Sequence, residues 1–194
     1  MAIKEIVIVM CGGLFFLLAC ETKKRANQKY FDFDSLISEQ VAVLGNRKIG
    51  LEKFTFFNSI SLDTMYFPSA KNLTLELEIF RQLDVVNKSV GRKGVLTQNS
   101  LSDNHSNLKI NRLTSNSTPI KEIKIFYLNK PEKLRKIEAL ISENNILSRF
   151  ERKLVMEFEE KNGKPMLSSY AINGVEKMIF RDSIRFEIKS KITP

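Results

Sequence analysis

The chain contains few of the residues that usually carry out catalysis or bind metals. His105 is its single histidine, and Cys11 and Cys20 are its two cysteines. A nucleophilic side chain needs a positioned base, and the sequence has no Gly-x-Ser-x-Gly turn. His105 itself lies among Asp, Asn and Ser residues that are typical of an exposed loop. We therefore predict no catalytic residue, no metal site and no cofactor.

Three carboxylates lie close together near a predicted turn, namely Glu157, Glu159 and Glu160. Two carboxylates can act as general acid and general base, as they do in glycosidases. The alternation along this strand places Glu157 and Glu159 towards solvent, opposite Met156 and Phe158. We interpret them as a solvated strand face, and a hydrolase with an unrecognised site is a distant alternative.

An uncharged apolar run precedes the second cysteine. Residues 6–19 carry no charge and are interrupted only by Gly12 and Gly13. A membrane-spanning helix needs about 20 mostly apolar residues, whereas a shorter run suits the hydrophobic region of a secretory signal. We predict that residues 1–19 are a signal peptide. A short membrane anchor or a buried first helix is the alternative.

The apolar run ends in Leu17-Leu18-Ala19-Cys20, which resembles the lipobox of bacterial lipoproteins. The resemblance implies that the chain is cleaved before Cys20, whose sulfur is diacylated and whose new amine is often acylated. Cys11 does not fit the pattern, because Met10 is too large for the small residue that precedes the lipobox cysteine. Two or three acyl chains would hold the protein firmly at a bilayer, at about 0.8 kcal/mol for each buried methylene.

A polar segment follows the lipobox and is predicted to be a flexible tether over residues 20–29. Lys23, Lys24 and Arg25 lie beside the predicted lipid. Each basic residue near an anionic membrane surface contributes roughly 1 kcal/mol to binding. The three are candidate membrane-surface contacts, and a solvated linker without such contacts is the alternative.

The chain is strongly basic, with a net charge of +9. In an exported protein the available anions are lipid head groups and acidic cell-wall polymers, which net charge alone attracts. The basic residues are also spread along alternate strand positions and are not gathered in one motif. We therefore predict no nucleic-acid partner, and we expect an anionic lipid or a cell-wall polymer as a candidate partner.

Two helices are predicted in the first half of the chain. Apolar residues at helical spacing predict the first over Phe33–Gly45, with Asp32 as its N-cap and Gly45 as a left-handed C-terminal residue. The second is predicted over residues 72–82, where Pro68 and Ser69 are start signals. Leucines at every second position, from Leu73 onward, leave a strand as the alternative there.

The remainder of the chain predicts antiparallel strands. A strand is predicted over residues 49–58, short strands and loops over residues 84–118, and clear alternation begins at residue 120. Asn162-Gly163 is a strong hairpin signal, and Asn173-Gly174 predicts a hairpin or a bulge. The last strand places Ile184, Phe186 and Ile188 in the core.

We predict a single α+β domain over residues 30–194, in which the helices pack on a curved, half-barrel-like antiparallel sheet of six to eight strands.

Two short segments, Tyr30-Phe31-Asp32 and Tyr170-Ala-Ile-Asn-Gly174, resemble uncharacterised envelope lipoproteins of Gram-negative bacteria. This resemblance implies no activity. We predict a non-enzymatic lipoprotein that is exported, anchored through Cys20 to the outer membrane, and binds a protein partner or an apolar ligand on its sheet. The alternative is a structural subunit of an envelope assembly that has no ligand of its own.

Overall fold

The computed structural model describes residues 29–92 and 94–194. The predicted signal peptide, Cys20 and the tether residues Lys23, Lys24 and Arg25 lie outside the described residues. The helices are α1 (Phe33–Gly45), α2 (Ala70–Arg81), a 3₁₀ helix (Gln82–Asn87) and α3 (Ser89–Arg92). The strands are β1 (Gly50–Phe57), β2 (Ile60–Tyr66), β3 (Val95–Ser102), β4 (Lys109–Ser115), β5 (Ile120–Tyr127), β6 (Leu134–Asn144), β7 (Ser148–Lys161), β8 (Lys164–Met178) and β9 (Ile184–Thr193).

The strands form one open antiparallel sheet in the order β2-β1-β9-β8-β7-β6-β5-β4-β3. Strands β3 to β9 follow one another as a meander, and the last strand, β9, lies between β8 and β1. The α+β class is confirmed, but the described residues form nine strands where six to eight were predicted. The additional strand is β2, whose apolar residues Ile60, Leu62 and Met65 are exposed and therefore leave no core-facing pattern.

Both predicted helices are confirmed, and local capping explains where they begin. The Asp32 carboxylate accepts a hydrogen bond from the backbone N–H of Ser35 at 3.0 Å. At α2, Ser69 and Asn72 form a reciprocal capping box. The strand alternative for α2 is wrong because Leu75, which strand alternation would bury, is 67% exposed.

Gly45 does not have the predicted left-handed conformation. It is the last residue of α1, and its φ is not positive. A Cβ at this position would lie 2.8 Å from the Cβ of Ala70, the first residue of α2. Glycine is therefore required here because the end of α1 closely approaches the start of α2.

The helices cover one face of the sheet, and the core lies between them. It combines Leu44, Leu77 and Phe80 with strand residues such as Ile123 and Leu154. Among the described residues, the core and the partly buried residues packed on it lie between Phe31 and Ile192. A chain that begins at Glu21 includes all of these residues and is expected to fold on its own.

A buried glutamine ties α1 to the sheet. The Gln40 amide donates to the carbonyl of Pro165 at 3.2 Å and accepts from the N–H of Leu167 at 2.8 Å. Pro165 and Leu167 pair with β7, but they precede the part of β8 that pairs with β9, which begins at Ser169. The glutamine thus satisfies backbone polar groups of β8 where no strand pairs with it on the β9 side.

The two Asn-Gly pairs have different structures. Asn162 and Gly163 both have positive φ and connect β7 to β8, which confirms the predicted hairpin. The prediction for Asn173-Gly174 is wrong, because both residues lie inside β8 and the register does not change there. Phe186 on β9 packs over Gly174 and is partly buried, so it lies at the margin of the core and not in its centre.

Candidate functional site

The face of the sheet opposite the helices forms an open groove along strands β2, β1, β9, β8 and β7. Its volume is about 1340 Å³. Neighbouring strands lie about 4.8 Å apart, so five strands span roughly 19 Å. Residues of β2 and of β7, the two outer strands of this set, both line the groove. The sheet must therefore curve around it. This agrees with the predicted curved sheet.

Part of the groove floor is apolar. Phe54 on β1, Val155 on β7 and Ala171 on β8 point away from the helices, and Met65 on β2 lies beside them. Val155 pairs directly with Ala171, so these two form a continuous apolar strip across adjacent strands. Adjacent apolar side chains here depart from the polar outward positions that a solvated antiparallel sheet usually has.

Charged side chains of both signs lie between and around these apolar residues. Lys189 and Lys191 lie on β9 in the middle of the groove, opposite Phe54 and Glu52 of β1 respectively. The Lys189 ammonium is 2.8 Å from a carboxylate oxygen of Glu187 and 5.9 Å from the centre of the Phe54 ring. An amphipathic molecule fits this arrangement, since its apolar part would contact the floor while its polar groups met the lysines.

One end of the groove is basic. Arg47 and Lys48, from the segment between α1 and β1, line this end together with Lys161 of β7, and Glu159 is the acidic residue beside them. A guanidinium nitrogen of Arg47 lies 3.2 Å from the sulfur of Met166, which holds this side chain over the end of the sheet. The groove is thus suited to an anionic group at this end.

A separate polar cluster lies on the helix side of the sheet, centred on Glu76 of α2. One carboxylate oxygen accepts from Tyr66 at 2.7 Å and the other accepts from Tyr170 at 2.7 Å, while the Lys53 ammonium lies 2.7 and 2.8 Å from the two oxygens. Four elements, α2, β1, β2 and β8, therefore meet at one carboxylate. The cluster fixes α2 to the sheet.

The ionisation of this cluster follows from its contacts. Burial acts to raise the pKa of Glu76, but the hydrogen bonds from Lys53, Tyr170 and Tyr66 outweigh it and hold that pKa below its ordinary value. Burial, together with the Glu76 carboxylate, raises the pKa of Tyr66 to about 12 and also raises that of Tyr170. Glu76 is therefore ionised and both tyrosines are protonated at neutral pH, with both carboxylate oxygens already accepting hydrogen bonds.

The sequence did not predict the groove as a site, although the exposure of some residues that line it was predicted correctly. Glu157 and Glu159 are exposed as predicted, and both lie at the wall of the groove. Glu160 is paired with Arg135 at 2.6 Å. His105 is exposed in the loop between β3 and β4, as predicted. The groove could have been sought by asking where outward strand positions are apolar, as they are at Val155 and Ala171.

Neither a metal-binding cluster nor a membrane-spanning helix is found among the described residues. Within residues 29–92 and 94–194, no three His, Cys, Asp or Glu side chains are placed to hold a metal ion together. In the same part of the chain, every helix is too short or too polar to cross a bilayer.

Comparisons of the chain with protein-family models, with curated proteins and with solved structures found no match.

Proposed function

We propose that this protein is a lipid-anchored, non-enzymatic binding protein of the bacterial cell envelope, and that it holds an apolar or amphipathic ligand in the groove on the open face of its sheet. Cys20 carries the lipid, and the outer membrane is the expected location. The observation that supports binding is the apolar strip of Val155 and Ala171, with Phe54 on the other side of Lys189, on a strand face that no helix among the described residues covers.

The charges of the groove support an amphipathic ligand over a purely apolar one. Lys189 and Lys191 project from the central strand, and Arg47 and Lys48 lie at one end. A ligand with an apolar chain and an anionic head would bury its chain against Val155 and its neighbours and place its head near these cations. Fatty acids and lipid fragments have this chemistry.

The cluster around Glu76 supports a non-enzymatic role. Among the described residues it is the place where a carboxylate and two tyrosines with shifted pKa values meet. Their hydrogen bonds are directed to one another and fix a helix to the sheet, on the face opposite the groove floor. A general base needs an oxygen that can reach its substrate, and both oxygens of Glu76 already accept hydrogen bonds.

Binding of a dansyl-labelled fatty acid to the chain from Glu21 onward tests the groove. We expect its fluorescence to rise and shift to the blue on binding. Ala171→Glu places a charge on the apolar strip and should weaken binding by roughly tenfold or more. Val175→Glu is the matched control, because Val175 faces the same way on the same strand but lies outside the groove. Equal affinity for both variants would contradict the proposal.

A structural subunit is the second candidate function, and strand β2 supports it. β2 is an edge strand of seven residues with no proline or lysine, and Ile60 and Leu62 are exposed on it. Such an edge can accept a strand from a partner. Under this alternative, Leu62→Lys would release the protein from a larger complex in detergent extracts of membranes, whereas Ala171→Glu would not.

A further inference from the structure

Three turns at one end of the sheet carry apolar side chains that project into solvent. Phe180 in the β8–β9 turn is 96% exposed, and Ile146 in the β6–β7 turn is 91% exposed. Ile60, which follows the β1–β2 turn, is 72% exposed. Such a side chain buries almost none of its apolar surface when the domain folds, so it does not stabilise the fold from that position. We call these three turns the apolar end.

Hydrogen bonds hold the three turns together. The N–H of Ile179 donates to the carbonyl of Leu147 at 2.8 Å, which joins the β8–β9 turn to the β6–β7 turn. The N–H of Asn58 donates to the carbonyl of Arg185 at 2.7 Å, and the N–H of Arg185 donates to the Asn58 side chain at 3.0 Å. The apolar end is therefore one surface built from neighbouring turns, with a defined arrangement.

The charges at the apolar end are mostly positive. Within two residues of the three turns, in residues 56–61, 143–149 and 177–185, there are four basic residues and two acidic ones. The basic residues are Arg149, Lys177, Arg181 and Arg185, and the acidic ones are Glu143 and Asp182. Apolar side chains at projecting tips, flanked by basic residues, are the combination by which a domain binds at an anionic bilayer surface.

The first residues that the structure describes lie on the side of the apolar end. The N–H of Tyr30 donates to Asn87 at 2.8 Å, and Asn87 is followed by α3. The hydroxyl of Ser117, in the β4–β5 turn, donates to the carbonyl of Gly91 in α3 at 3.4 Å. The next turn along the sheet is the β6–β7 turn, which belongs to the apolar end. Tyr30 therefore lies at the same end of the sheet as the apolar end.

We infer that the apolar end inserts its tips into the head-group region of an anionic bilayer, as a second membrane contact besides the lipid on Cys20. Phe180, Ile146 and Leu147 bury their side chains where the head-group region meets the acyl chains, and the basic residues contact the lipid phosphates. The exposed apolar side chains and the basic residues beside them support this orientation. The inference rests on the proposed function in one respect, namely that the lipid anchor already places the domain near the bilayer.

The absence of tryptophan from the chain allows a direct test. Phe180→Trp, made in the chain from Glu21 onward, places the single tryptophan of the variant at the apolar end. Phe67→Trp is the matched control, because Phe67 is 77% exposed but follows β2 at the opposite end of the sheet. Each variant is mixed with vesicles of phosphatidylcholine alone and with vesicles of equal parts phosphatidylcholine and phosphatidylglycerol.

We expect the indole emission of the Phe180→Trp variant to shift to the blue with the anionic vesicles and to be quenched by lipids brominated in their acyl chains. The emission of the Phe67→Trp variant should stay unchanged. Ile146→Ser, introduced into the Phe180→Trp chain, should weaken partition by about tenfold.

Two results would overturn the inference. The first is an unchanged spectrum of the Phe180→Trp variant, or equal shifts of the two tryptophan variants. The second is a blue shift that grows with protein concentration without vesicles, which would favour a second copy of the chain as the occupant. Because this chain lacks Cys20 and no groove ligand is added, neither result depends on the proposed function.

Discussion

Phe186 lies directly opposite Gly174 in the ladder between β8 and β9, and its ring occupies the space beside the glycine Cα. A methyl group at position 174 would overlap the ring. The Gly174 φ is not positive, so the requirement for glycine is one of space and not of backbone conformation. An Asn-Gly pair inside a long strand is thus explained by the aromatic residue on the next strand.

Two single substitutions and their combination test this relationship. Gly174→Ala should destabilise the fold by about 1–3 kcal/mol through overpacking. Phe186→Ala should cost about 1–3 kcal/mol, less than a fully buried phenylalanine, because the ring is only partly buried. The double variant should be more stable than the sum predicts, since the alanine methyl then meets no ring. Chemical denaturation measures all three.

Arg185→Ala is the control for this cycle, because its side chain is exposed on the opposite face of β9. It should change the free energy of unfolding by less than about 0.5 kcal/mol. Strict additivity of Gly174→Ala and Phe186→Ala would show that the ring does not occupy the space beside Gly174.

The carboxylate of Glu76 should contribute strongly to stability. Glu76→Ala removes the acceptor of Tyr66, Tyr170 and Lys53 and should cost about 2–3 kcal/mol, mostly through unpaired polar groups. Glu78→Ala, on the exposed side of the same helix, should cost less than about 0.5 kcal/mol. Urea denaturation of the two variants compares them directly, and similar losses would argue against the cluster.

Stability should fall at alkaline pH because of the same cluster. The pKa of Tyr66 is raised to about 12 and that of Tyr170 is also raised, so the folded chain holds these protons more tightly than the unfolded chain. Their contribution is complete below the ordinary tyrosine pKa of about 10 and is lost as the pH rises above it. Tyr66→Phe should make the loss between about pH 10 and pH 12 smaller. Melting temperatures across this range test the sign, and an unchanged slope would refute it.

Attachment of lipid to Cys20 is tested in cells. A palmitate analogue should label the wild-type chain but not Cys20→Ser, because the thiol is the predicted site of acylation. Cys11→Ser is the matched control and should be labelled as the wild type is. Equal labelling of the wild type and Cys20→Ser would exclude the lipoprotein assignment.

Elements with a local or strongly periodic signal could be predicted from the sequence. The cap at Asp32, the helical spacing of Leu73, Leu77 and Phe80, and the Asn162-Gly163 turn each depend on residues close together in the chain. Strand β2 could not be predicted, because Ile60 and Leu62 are exposed on an edge and show no buried face. Gly174 was misinterpreted for a similar reason, since its explanation lies on another strand.

The candidate site could not be predicted from the sequence because its parts are far apart in the chain. The groove combines Phe54 of β1 with the Val155–Ala171 pair of the β7–β8 hairpin, and β9, which pairs with both β1 and β8, joins these distant parts of the chain in one sheet. Glu76 likewise meets Tyr170, which lies 94 residues later. In the sequence alone, Glu76 is one more charged residue of an amphipathic helix, and only the packing of α2 on the sheet brings it to its partners.

Native mass spectrometry of the full protein, released from membranes in mild detergent, tests most directly whether the groove holds a ligand. We expect a mature protein that carries an additional non-covalent mass of lipid size. This mass should be lost in Ala171→Glu and retained in Val175→Glu. A wild-type protein without the additional mass, or the same mass on all three proteins, would contradict a ligand in the groove.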